Sequence, residues 1–171
     1  MTDISHLKLI PYDPYWCTKF ETEKLKIEAI FKDKALGIEH IGSTSVKGLM
    51  SKPIIDLAVK VANPEIADLF IDPLAKIKYR YEERSSSSER HFFRKGNPTE
   101  FHCSICYKDR GSYWERQILF RDYLRNHPEA LSDYQELKIR LLEKYPTGRG
   151  GYVSGKTEFV EKILILARIA C

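Results

Sequence analysis

Gly42-Ser43-Thr44-Ser45 precedes an acid, Asp56, that interrupts the apolar run Ile54-Ile55-Asp56-Leu57-Ala58-Val59. Phosphate chemistry uses both parts. A glycine at a turn removes the Cβ that would hold backbone N–H groups away from phosphate oxygens, and neighbouring hydroxyls add donors. An acid on a rigid strand can ligate the divalent cation that neutralises those phosphates. Lys52 lies between turn and acid, where an ammonium can meet a phosphate. The same residues also have a plain structural reading, because Ser and Thr beside a turn cap helices. The two readings coexist, since a capped helix start is itself an anion site.

Other candidates carry the same two readings. Arg90, Arg94 and Lys95 form either a cationic wall that offsets phosphate charge or an exposed strand face. His40, next to the turn, reads as a ligand contact or as a satisfied structural histidine. Gly150-Gly151-Tyr152-Val153-Ser154-Gly155-Lys156-Thr157 satisfies the pattern of a P-loop. That mechanism needs a buried strand before the loop, whereas Leu137–Lys144 is charged and helix-like, so Lys156 is left to reach phosphate by another route. Cys103-Ser104-Ile105-Cys106 lacks the second ligand pair of a structural zinc site and falls in a strand-like segment. These cysteines read as ordinary strand residues.

The elements that must position these groups follow from cap and periodicity signals. Asp13-Pro14 and Asn63-Pro64 are acid- or amide-plus-proline helix starts, predicting helices to about Phe31 and about Lys76. Leu36–Ile41 and Ile54–Val61 read as strands, the second with both faces covered, so that Asp56 needs a partner. Tyr79–Glu83, Arg90–Arg94 and Thr99–Tyr107 read as further strands, with Gly96-Asn97-Pro98 as a hairpin turn and the serine run of residues 84–89 as a mobile loop. Helices are predicted over Ser112–Arg125, Pro128–Lys144 and Val153–Ile169. Strands first and helices last predict an α/β (α+β) fold, a mixed β-sheet backed by helices with a C-terminal helical hairpin.

Size and charge set the limits. At 171 residues the chain suits one domain over 1–171, with a β-rich core over about 12–108 and a helical part over about 112–170. The formal net charge of +4, from 28 basic and 24 acidic residues, forms no basic stripe; this argues against a nucleic-acid partner and suits a small phosphorylated ligand. No apolar run approaches a membrane span and the N-terminus has no export pattern, so no membrane partner and a cytoplasmic location are expected. Four cysteines are too few and scattered for a disulfide framework.

His40-Ile41-Gly42-Ser43-Thr44-Ser45-Val46 followed by Lys52-Pro53-Ile54-Ile55-Asp56 resembles the GrpB-like branch of the nucleotidyltransferase superfamily. Later segments agree in order: Arg90 to Gly96, Tyr113-Trp114, Phe120 to Leu124, and Tyr152 with Lys156. The resemblance, from Tyr12 to about Ala167, implies a nucleotidyltransferase-like fold and binding of ATP or another NTP with Mg²⁺. It implies transfer of a nucleotidyl group to an unknown small-molecule or protein acceptor. Gly42, Ser43, Thr44, Ser45, Lys52, Arg90, Arg94 and Lys156 would face the nucleotide, Asp56 would be the catalytic acid and metal ligand, and His102 a further metal ligand. Two departures matter. Ala58 stands where a second acid would complete a two-metal site, leaving Glu100 as a substitute, and Ser104 stands where relatives tend to carry a second histidine. These favour the alternative of a non-catalytic nucleotide-binding or scaffold module with a degenerate site, an idea supported by related domains attached to a coenzyme A biosynthetic kinase. RNA-end modification, known in the superfamily, is a third reading that the charge balance disfavours.

Overall fold

The computed structural model describes residues 8–146 and 149–170. Helix α1 (Tyr15–Phe31) begins where Asp13 accepts the Tyr15 N–H at 2.9 Å, just as the Asp-Pro signal predicts. Strand β1 (Gly37–Ile41) runs into a 3-10 turn at Ser43–Ser45, and β2 (Ile55–Val61) follows. Asn63 caps α2 (Pro64–Asp68) by accepting the Ile66 N–H at 2.9 Å. The single helix predicted here is broken, and α3 (Ile71–Lys76) starts anew. Pro73 is the reason: its ring tolerates only the first turn of a helix, so the helix restarts just ahead of it.

Strands β3 (Tyr79–Tyr81), β4 (Arg90–Gly96) and β5 (Thr99–Tyr107) complete a mixed five-stranded sheet in the order β1-β2-β5-β4-β3. Only β2 and β5 are parallel; β4 and β5 form the predicted hairpin. The serine run is structured rather than loose, because Ser86 Oγ both donates to the Glu82 carbonyl and accepts the Phe92 N–H. Helices α4 (Tyr113–Asn126), α5 (Pro128–Lys144), α6 (Arg149–Ser154) and α7 (Thr157–Ile169) follow. Helix α6 occupies much of the predicted break, and the predicted last helix starts at Thr157 rather than Val153, just past Gly155, where a Cβ would lie 2.4 Å from Leu141 of α5.

The sheet has two unlike faces. Ile55, Leu57, Val59 and Val61 of β2 and Phe101, Cys103 and Ile105 of β5 bury against Trp16, Phe20, Ile27 and Phe31 of α1 and Leu74 of α3. Each such side chain contributes about 1.5–3 kcal/mol of burial, so this face anchors the strands. Strand alternation sends Asp56, Ala58 and Lys60, with His102, Ser104 and Cys106, to the other face. There Ile41, Ala58 and Cys106 are covered by Tyr113 and Trp114, while Asp56 and His102 stay half-buried. The same alternation puts Cys103 and Cys106 on opposite faces, both buried, as strand residues rather than a ligand or redox pair. Among the described residues no helix is long and apolar enough to cross a membrane.

Candidate functional site

Asp56, the second residue of β2, pairs with Ile41 at the end of β1, so the turn after β1 lies directly against it. Gly42 holds φ of +71°, and a Cβ there would lie 2.4 Å from Asp56 Oδ2. Only glycine satisfies both the backbone angle and the approach. Asp56 needs a partner, and the structure supplies His102, expected from the resemblance as a metal ligand; it lies opposite Asp56 in the parallel β2–β5 register, with Nδ1 2.9 Å from Asp56 Oδ1.

The turn's hydroxyls divide the labour. Thr44, fully buried, engages His40 Nε2 at 2.9 Å and donates to the Ile54 carbonyl at 3.4 Å. Ser45 Oγ donates to the Gly42 carbonyl at 2.5 Å. Both side chains therefore fasten the turn internally, and Ser43 is the one whose hydroxyl faces the cleft beside Asp56. His40 belongs to the fastening too: it stacks on Phe20 at 4.7 Å, and burial pushes its pKa down to about 4, keeping it neutral. Arg121 donates to the His40 carbonyl at 2.9 Å, and Arg125 donates to the Ser45 carbonyl at 2.7 Å. Arg121 and Arg125, one turn apart on α4, thus clamp the turn.

A cleft of about 210 Å³ opens over Asp56, lined by Ser43, Lys52, His102, Lys138, Tyr152 and Lys156 among others. Lys138 reaches it from α5, donating to Ser43 Oγ at 3.2 Å and to the Met50 carbonyl. Its pKa is pushed down to about 7, first by burial and then by the charges of Lys156 and Lys52. Lys156, at the joint of α6 and α7, is pushed down to about 8 by burial and by Lys52, with Asp56 opposing. The Lys52 and Lys156 ammonium groups lie 5.1 and 4.4 Å from the centre of the Tyr152 ring. Among the described residues, three lysines from three parts of the chain line this cleft with one acid, Asp56.

The hairpin cations do not form the expected wall. Arg90 is held between the rings of Phe92 and Tyr113, at 4.5 and 4.6 Å, and donates to Ser104 Oγ at 2.7 Å. Arg94 stands across from His102 on β4 but does not line the cleft. Lys95 points to the opposite face, as strand alternation requires, and pairs with Glu23. Glu100 does not substitute for the missing second acid, because it pairs with Lys19 at 3.3 Å. Among the described residues no group of three or more His, Cys, Asp or Glu side chains comes together around a common point.

Lys138 is the site residue that motif reading passes over. Its signal lies in the helix pattern: Ala130, Tyr134, Lys138 and Leu141 are the buried residues of α5, and a lysine in that stripe is out of place.

The family comparison decides the lineage: residues 6–165 match the GrpB protein family. The chain belongs to the GrpB family. It is 36% identical over 164 residues to a UPF0157 protein of Pseudomonas aeruginosa, covering 95% of this chain and 68% of that one. A crystal structure of GrpB from Enterococcus faecalis superposes with a TM-score of 0.86 at 35% identity, covering 94% of this chain and 96% of that one. Cid1, described as an RNA terminal uridylyl transferase, shares the fold at a TM-score of 0.52 and 19% identity, over 80% of this chain and 43% of that one. The fold is therefore nucleotidyltransferase-like. A dephospho-CoA kinase of Mycobacterium tuberculosis is 27% identical over 87% of this chain, which spans 43% of that protein.

Proposed function

We propose that this GrpB protein binds the phosphates of a nucleoside triphosphate, ATP or another NTP, in the cleft over Asp56. The observation that carries this reading is the convergence of Lys52, Lys138 and Lys156 with the Ser43 hydroxyl around a single carboxylate. Burying like charges together is costly, and a bound anion relieves the cost. Ser43 and the three lysines would bind phosphate oxygens, while the Gly42 backbone allows the close approach.

The donor set suits one Mg²⁺ and not two. Magnesium is commonly held by one or two carboxylates together with substrate phosphates and water, and Asp56 with the phosphates meets that pattern. Bound there, the ion would neutralise phosphate charge. A two-metal arrangement would need a second acid, and Ala58 and the engaged Glu100 supply none. Binding is accordingly the better supported activity. Nucleotidyl transfer to a small-molecule or protein acceptor is the second reading, favoured by Asp56 lying directly against the Gly42-Ser43 turn in a fold shared with transferases. A cytoplasmic location, where ATP is supplied, fits both.

Calorimetric titration with ATP, with and without Mg²⁺, tests the proposal. Binding that weakens at least about tenfold, ~1.4 kcal/mol, in Lys138→Met supports the cleft as the site. Lack of any heat at millimolar ATP overturns it. Pyrophosphate release in the presence of candidate acceptors, lost in Asp56→Asn, would raise the second reading above the first.

A further inference from the structure

A second cleft, of about 260 Å³, lies on the far side of Ser43 and Lys156, between the turn and helices α4, α6 and α7. Its lining is of a different kind. Phe120, Tyr134, Val160 and Leu164 give it apolar walls, and Gln117, whose amide makes no hydrogen bond among the described residues, is part of the lining. Arg116 and Glu161, paired at 2.5 Å, belong to the lining, and Val153, 61% exposed, does as well. Gly42, Ser43 and Lys156 are shared with or adjoin the lysine-lined cleft, so the two spaces meet at one wall.

We propose that this second cleft takes the nucleoside of the nucleotide whose phosphates occupy the first, with Gln117 hydrogen-bonding the edge of the base. The inference rests on the phosphate reading above. The chemistry divides as a nucleotide does. A polyanion belongs with the lysines. A flat, largely apolar body with a polar edge belongs between aromatic and aliphatic walls that offer one amide carrying both a donor and an acceptor. Ser43 and Lys156 sit at the join, where the phosphate nearest the ribose would lie. Continuity across that wall favours one ligand spanning both spaces over two separate ligands.

The test compares ATP, inorganic tripolyphosphate and GTP on the full chain by calorimetry. Wild-type protein is expected to bind ATP at least about tenfold more tightly than tripolyphosphate, as stacking and burial of a base allow. Val153→Trp, an exposed position at the second cleft, is expected to bring ATP down to the affinity of tripolyphosphate and to leave tripolyphosphate unchanged. Gln117→Ala is expected to weaken ATP severalfold and to change the ratio of ATP to GTP affinity without touching tripolyphosphate. Equal affinity for ATP and tripolyphosphate in the wild type overturns the nucleoside cleft while leaving the phosphate site standing. The same holds for ATP affinity that is indifferent to both variants. If neither anion binds, the phosphate reading fails and this inference falls with it.

Discussion

Two clusters of lysines around a carboxylate stand on the two faces of the sheet, and they are built on opposite terms. On the α1 face, Glu23 is only 1% exposed and receives Lys95 at 2.5 Å and Lys26 at 2.9 Å. Burial raises the Glu23 pKa, but those two partners outweigh it and hold the carboxyl below its ordinary value. On the other face, Lys138 and Lys156 line a cleft with Lys52 in which, among the described residues, the one acid is Asp56, itself paired with His102. Burial first, and then neighbouring ammonium groups, push Lys138 and Lys156 down, whereas at Glu23 the ammonium groups of Lys95 and Lys26 oppose burial and prevail. A buried charge matched by its partners is architecture. One surrounded by its own kind is held against its preference by the rest of the fold, and the economical explanation is a ligand that supplies the missing charge.

The largest expected effect breaks the matched cluster. Glu23→Ala leaves Lys95 largely buried without its carboxylate, and loss of one member of a buried pair costs about 3 kcal/mol or more. Chemical denaturation should show this as a shifted midpoint with ATP binding of the folded protein unaltered. Next is the turn. Gly42→Ala forces a side chain to φ of +71° and sets its Cβ against Asp56, so it should cost about 2 kcal/mol and displace the acid as well. Stability and ATP affinity should fall together, unlike in Glu23→Ala.

Lys138→Met sharpens the contrast from the unmatched side. It removes a buried cation whose neighbours repel it and replaces it with an apolar chain of similar length. Stability should change by less than about 1 kcal/mol, or rise, while ATP affinity falls about tenfold. If Lys138→Met were as destabilising as Glu23→Ala, its contacts to Ser43 and Met50 would be structural and the two clusters would not differ in kind.

The same division explains what could be read ahead of the structure. The Gly42-Ser43 turn, Asp56 and Lys52 were legible because they are close in sequence and belong to a local device with its own signature. The sheet was legible for a similar reason, since Asn63-Pro64 and the 96–98 turn are short-range signals that the fold obeys. The expected wall of Arg90, Arg94 and Lys95 failed because strand alternation sends adjacent residues to opposite faces, and because Phe92 and Tyr113 draw Arg90 between them. Lys138 lies 95 residues from the hydroxyl it contacts, a separation that no motif spans. Only its place in the buried stripe of α5 betrays it. The breaks at Pro73 and Gly155 are set by a proline and a close approach, which a periodicity reading averages away.

The smallest effect is in pH, and the clusters should answer it at opposite ends of the scale. Glu23, held below its ordinary value of 4.5, contributes stability that is present above that value and lost as pH falls through its folded pKa. Lys138 works the other way. With its folded pKa near 7 against an ordinary 10.5, the unfolded chain binds more protons between those values, so stability rises with pH across that window. Lys156 adds to the rise from about pH 8 upward. The gain from pH 7 to pH 9 should be on the order of 1 kcal/mol. Phosphate reverses the preference. An anion favours the charged ammonium, so ATP binding should take up protons near pH 8 and weaken severalfold as pH rises, an uptake visible in the dependence of binding heat on buffer ionisation. Both the stability rise and the proton uptake should shrink in Lys138→Met. A variant that kept them in full would move the titrating group elsewhere and remove Lys138 from the phosphate site.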